Sequence, residues 1–186
     1  LVERSVKDEF LVYLKKWIVR MYGADATEND AYVKMINQKH FDRVTGLIDP
    51  EKVIFGGGRN ERTMQIQPTI LDDVTAEDAV MQEEIFGPIF PILSVDSMAE
   101  AEEFICKREK PLALYLFTQN KALAERFLRY VPFGGGCIND TIIHLATSRM
   151  GFGGVGGSGM GSYHGKKSFE TFSHEKSILN KHTWMD

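Results

Sequence analysis

The stretch from Pro88 to Asn139 alternates apolar runs with amphipathic segments at a steady pace, and this rhythm narrows the possible folds more than any other feature of the chain. PIFPILSV (88–95) and LALYLFT (112–118) read as strands. Between them SMAEAEEFICKRE (97–109) opens with Ser97 and Glu100 at capping-box spacing and stops short of Pro111. Asn120 is the expected cap of KALAERFLRY (121–130), Pro132 its stop, and GGGCIN (134–139) the following strand. Strand, helix, strand, helix, strand at these lengths predicts crossover units on a mostly parallel sheet, that is, an α/β fold.

Upstream, SVKDEFLVYLKKWIVRMYG places Val6, Phe10, Tyr13, Leu14, Trp17, Ile18 and Met21 three and four apart, predicting a helix capped by Ser5 and stopped by Gly23. KMINQKHFDRVTGLI puts Met35, Ile36, Phe41, Val44, Leu47 and Ile48 on a second stripe, and KVIF and MQIQPTIL are strand candidates. The tail after Gly151 is glycine-dense, then mixes aromatic and β-branched residues; it reads as loop, short helix and a terminal strand through Thr171, Phe172, Ser177 and Ile178. A strand appended there has an open edge, which recruits partners.

Composition serves mainly to exclude. With 43% hydrophobic residues, 26% charged and a net charge of -4 over 186 residues, the chain is ordinary globular protein with no electrostatic footprint for nucleic acid. No apolar run is long enough to span a bilayer, and two cysteines do not make a disulfide framework, so the expected location is cytoplasmic. The five histidines show no metal-ligand spacing, so no metal site is expected. Cys106 and Cys137 read as packing residues: Cys106 lies within an amphipathic helix, and no residue near Cys137 obviously supplies a base or a positive field. Gly154, Gly156 and Gly159 spell a dinucleotide fingerprint, but HLATSRMG before them is a poor strand and the helix comes late; a tight loop is the better reading.

VMQEEIFGPIFP (80–91) leaves two readings open. Thr75 and Asp78 look like the start of a short helix that Gly87-Pro88 ends, which sets Glu84 at a helix C-terminus where its charge opposes the macrodipole. Either Glu83 and Glu84 are solvated acids on a turn, or Glu84 is a carboxylate presented to a ligand with Phe86 as an apolar wall beside it.

Taken together, EEIFGPIFPI, REKPLALYLFTQN, CIND and FGGVGGSGMGSYHGKKSFETFSH, with HFDRVTGLI and PTILDDV upstream, resemble the C-terminal portion of NAD(P)-dependent aldehyde dehydrogenases, nearest the dimeric class 3 branch. The resemblance implies a three-layer αβα catalytic domain over residues 1–165 and a tail, 166–186, carrying an oligomerisation strand through which the chain forms a homo-oligomer. It also implies NAD or NADP as cofactor, an aldehyde as substrate, Glu84 on the nicotinamide ribose and Phe86 beside the nicotinamide. Phe152, Tyr163 and His164 resemble residues that line or gate the aldehyde tunnel, Asn139 lies in a motif beside the active site, and Ile142 and Leu145 supply apolar walls. The family's nucleophilic cysteine, general-base glutamate and most of its nucleotide-binding domain belong upstream of Leu1, so no catalytic residue is assigned here. The sequence is accordingly read as a fragment, inactive alone, of an enzyme that oxidises aldehydes to acids; the alternative is a non-catalytic assembly module of that family.

Overall fold

A computed structural model describes residues 1–184. These form two compact units, Leu1–Ala101 and a second beginning at Glu102, and the division falls inside one helix.

In the first unit, β1 (Val2–Glu3) leads into α1 (Lys7–Tyr22), and α2 (Gln38–Gly46) precedes β2 (Val53–Phe55), β3 (Arg59–Asn60), β4 (Gln65–Ile66) and β5 (Thr69–Leu71). β6 (Ile89–Pro91), β7 (Ser94–Val95) and the start of α3 (Met98–Cys106) complete it. β5 is central to a three-stranded sheet, antiparallel to β2 and parallel to β6, with Ile70 opposite Phe90. β1 runs parallel to β7, and β3 pairs antiparallel with β4. Leu11 and Ile18 of α1 pack with Ile70 and Ile92 into a core cluster that Leu14, Tyr22 and Phe55 border.

This corrects the expected face of α1. Its core stripe is Leu11, Leu14, Ile18 and Tyr22, whereas Phe10, Tyr13, Trp17 and Met21 are exposed. Two apolar stripes share one helix, and reading their union gives a single broad face centred in the wrong place. Ser5 is not the cap either: Val6 occupies that position without a side-chain bond. Gly23 does stop the helix, at φ 93° with its N–H on the carbonyl of Val19. On α2, Asn37 caps through the N–H of His40, and Phe41, Val44 and Leu47 are buried as the stripe predicted; Met35 and Ile36 precede the helix.

The second unit holds β8 (Ala113–Leu116), α4 (Lys121–Tyr130), β9 (Gly135–Ile138) and α5 (Lys166–Thr171). β8 and β9 are parallel, Tyr115 opposite Cys137, with α4 as the crossover between them, capped by Asn120 as expected. The two backbones meet closely at Gly136, where a Cβ would lie 1.9 Å from the carbonyl oxygen of Leu114, so only glycine fits. Among the described residues three of the five strand pairings are parallel, in keeping with the predicted α/β class.

The terminal strand is not formed in the single chain. Thr171 ends α5, and residues 173–182 carry no strand among the described residues, leaving Phe172, Ile178 and Leu179 exposed. A strand needs a neighbour for its N–H and C=O groups, and the described chain offers this segment none.

Candidate functional site

In the first unit the surroundings of Glu83 and Glu84 differ from those expected. No helix runs from Thr75 to Gly87; only a single 3-10 turn, Ala79–Met81, forms. Only half of the expected cap is made: the Asp78 carboxylate accepts the Thr75 N–H at 2.8 Å and also binds the Lys52 ammonium, whereas the Asp78 N–H goes to the Thr75 backbone carbonyl at 3.4 Å. Lys52 and the Thr75 amide hold Asp78 below the usual carboxylate range. Glu84 therefore stands on an irregular turn, free of any opposing macrodipole.

That turn is held by Arg43 of α2. Its Nη2 donates to the carbonyl of Ile85 at 2.6 Å and its Nη1 to the carbonyl of Glu84 at 3.2 Å, while Nη1 also lies 3.2 Å from the Glu83 carboxylate. One planar guanidinium thus fastens two carbonyls and one acid, which a point-charge ammonium cannot do with the same geometry. Next along α2, Val44 presses on the same turn: a Cβ on Gly87 would meet its Cγ1 at 2.5 Å. Beyond the clamp the adjacent acids part company. Glu83 is engaged, whereas the exposed Glu84 carboxylate has no hydrogen bond or ion pair among the described residues. Phe86 follows at φ 45° with its ring 75% exposed, on the rim of an apolar groove of about 630 Å³ that Trp17, Met21, Tyr32 and Phe90 also line. A bulky residue held in left-handed backbone with its ring in solvent is a strained presentation, costing on the order of 1–3 kcal/mol.

The other predicted residues lie in the second unit. Phe152 and Tyr163 form an isolated antiparallel bridge, with reciprocal N–H to O bonds of 2.9 Å. The Phe152 ring stacks on His164 at 5.8 Å between centroids, and Tyr163 tilts against Phe172 at 6.3 Å. The glycine-dense loop between the bridge partners makes one 3-10 turn, Gly156–Ser158, with neither flanking strand nor helix of the nucleotide-binding kind. Asn139, at φ 58°, spends its side chain on the backbone of Thr118, donating to the carbonyl at 2.9 Å and accepting the N–H at 2.8 Å. Ile142 and Leu145 are exposed on either end of a 3-10 turn, Ile143–Leu145. Phe152, Tyr163 and His164 are thus brought together, while Asn139 serves the β8–β9 end.

Two residues were missed from sequence. Arg43 was visible only as one basic residue inside HFDRVTGLI. His144 is buried, with Nδ1 3.6 Å from Cys137 Sγ and its ring against Tyr115 and Phe152 at centroid distances of 5.8 and 5.6 Å. The expectation that Cys137 has no base nearby is therefore corrected. Among the described residues no three His, Cys, Asp or Glu side chains converge as metal ligands, and no helix is long and apolar enough to cross a membrane.

Residues 1–178 match the model of the aldehyde dehydrogenase family, and the chain belongs to that family. It is 47% identical, over its whole length, to the 4,4'-diaponeurosporen-aldehyde dehydrogenase of Staphylococcus aureus, covering 41% of that protein. It is 49% identical over 97% of its length to the dimeric NADP-preferring aldehyde dehydrogenase of Rattus norvegicus, of which it covers 40%. A solved substrate-bound aldehyde dehydrogenase of Staphylococcus aureus superimposes with a TM-score of 0.96 at 47% identity, covering all of this chain and 41% of the other. The chain thus spans about two fifths of the length of these relatives.

Proposed function

We propose that this chain is the C-terminal part of an NAD(P)-dependent enzyme that oxidises aldehydes to carboxylic acids. The observation that carries this reading is identity of 47% across the whole chain to an aldehyde dehydrogenase of about two and a half times its length. When bound, a nicotinamide dinucleotide supplies the hydride acceptor. The residues here fit its ribose: the unpartnered Glu84 carboxylate has two acceptor oxygens for two vicinal hydroxyls, and the Arg43 clamp fixes the backbone that presents it. Phe86 offers an exposed ring as a flat wall for the adjoining heterocycle. In the second unit Phe152, Tyr163 and His164 make an aromatic surface suited to an apolar aldehyde, with Ile142 and Leu145 adding aliphatic contact and Asn139 bracing the strand end. Alone, the chain has no assigned nucleophile and is expected to be inactive; its location is taken as cytoplasmic.

The test joins these 186 residues to the N-terminal part of the Staphylococcus aureus relative in place of its own C-terminal segment. Aldehyde-dependent reduction of NAD+ or NADP+ is expected, with Glu84→Gln raising the KM for cofactor or lowering kcat by ten-fold or so. A soluble, folded hybrid without turnover defeats the reading. The assembly alternative draws on the exposed apolar residues Phe172, Ile178 and Leu179. Under it the chain dimerises alone through residues 173–182, and sedimentation of a version truncated after Thr171 would show monomer only.

A further inference from the structure

We propose that Cys137 and His144 form a thiol–imidazole pair that makes Cys137 a site of covalent addition to α,β-unsaturated carbonyl compounds, independent of the aldehyde oxidation proposed above. β9 carries Cys137 at its third position, half-buried. The chain then turns back sharply through Ile142, whose φ of 58° is a conformation β-branched residues rarely adopt. That turn returns His144 onto β9, where Nδ1 stands 3.6 Å from Cys137 Sγ.

Three features hold the ring there. Tyr115 and Phe152 flank it. Gly135 leaves room for it, since a Cβ at that position would sit 3.3 Å from His144 Cδ2. His144 is also only 8% exposed, and its Nε2 has no hydrogen-bond partner among the described residues. Of the two cysteines, Cys106 is the more exposed, and its thiol donates to the Tyr130 carbonyl at 4.0 Å, an acceptor too weakly basic to take the proton. Exposure alone thus favours Cys106 and the neighbouring base favours Cys137.

With the imidazole proton on Nε2, Nδ1 accepts the thiol proton as sulfur attacks. The S–C bond forms at the β carbon, the C=C π bond breaks, and the proton held on Nδ1 passes to the α carbon. The imidazole is restored, no group leaves, and nothing is oxidised or reduced.

The experiment treats the folded chain with limiting acrylamide, a small conjugated carbonyl, and follows adduct formation at each cysteine by peptide mass spectrometry. Cys137 is expected to react on the order of ten-fold faster than Cys106 despite its lower exposure. His144→Phe keeps an aromatic ring between Tyr115 and Phe152 while removing the base; it should bring the Cys137 rate to or below that of Cys106 and leave Cys106 unchanged. Equal or faster labelling of Cys106 in the unaltered chain overturns the proposal. So does an undiminished Cys137 rate in a His144→Phe variant whose circular dichroism matches the parent. Should that variant not fold, the two rates in the unaltered chain decide.

Discussion

Arg43 and Glu83 meet at 3.2 Å, and the same guanidinium holds the carbonyls of the next two residues, so the free acid of the pair, Glu84, is positioned by a side chain it never touches through its own carboxylate. Removing this clamp should be felt in stability. Arg43→Ala is expected to cost about 2 kcal/mol, the scale of two hydrogen bonds from a charged donor lost together. Arg43→Lys should recover less than half of that, because an ammonium cannot span the Glu84 and Ile85 carbonyls side by side. Urea midpoints at unchanged slope measure both.

The contact between Val44 and Gly87 is testable by paired substitution. Gly87→Ala forces a methyl to within 2.5 Å of Val44 Cγ1 and is expected to destabilise by about 1–3 kcal/mol. Val44→Ala removes the clashing branches, leaving only Val44 Cβ at 3.4 Å, an ordinary contact. The double variant should therefore be more stable than the sum of the single effects by about 1 kcal/mol. Strict additivity would contradict the packing.

Tyr32 predicts an alkaline transition. Its hydroxyl donates to the Ile66 carbonyl at 2.9 Å in a buried setting, and burial pushes the phenol up from 10.0 to about 12. The unfolded chain ionises this group first, so its contribution is intact below pH 10 and is lost as pH rises toward 12. The loss amounts to about 2–3 kcal/mol. In Tyr32→Phe this component of the alkaline slope should vanish when unfolding is followed between pH 9 and 12.

Asp78 predicts the opposite edge of the pH range. Lys52 and the Thr75 amide keep it ionised below the ordinary carboxylate value, so its stabilisation is present above that value and fades as pH falls through the lower, folded one. Asp78→Asn should be less stable than the parent near pH 7, and the difference should shrink in acid; thermal melts at pH 7 and pH 3 compare the two.

Legibility followed the range of the interaction that decides each element. Asn120 was readable as a cap because it satisfies an N–H three residues away, and the β8–α4–β9 crossover was readable because apolar period and stop signals are local. The helix expected after Thr75 does not form even though Asp78 accepts the Thr75 N–H; the same carboxylate also binds Lys52, twenty-six residues before it, a contact that the local pattern does not show. The face of α1 was misplaced because periodicity counts apolar residues without saying which meet Ile70 and Ile92. At the candidate site, Glu84 and Phe86 were singled out by the family resemblance of EEIFGPIFPI, since the helix end that made the acid look out of place does not form. Arg43 and His144 carry no such oddity: one is an unremarked base on a helix, the other a histidine seven residues from a cysteine, joined to it only by the turn at Ile142. The strand expected in the tail is not formed among the described residues, because no neighbouring segment there pairs with residues 173–182.

The division of labour between Glu83 and Glu84 also sets how this surface turn can change over evolution. Exposed loops ordinarily tolerate gains and losses of residues. Here, dropping or adding one residue between the Arg43 contact and Gly87 would either replace Glu83 at the tethered position by Gln82 or Glu84, or replace Gly87 by a residue whose side chain meets Val44. The segment is solvent-facing yet length-locked, so drift in it should run through substitution and not through indels.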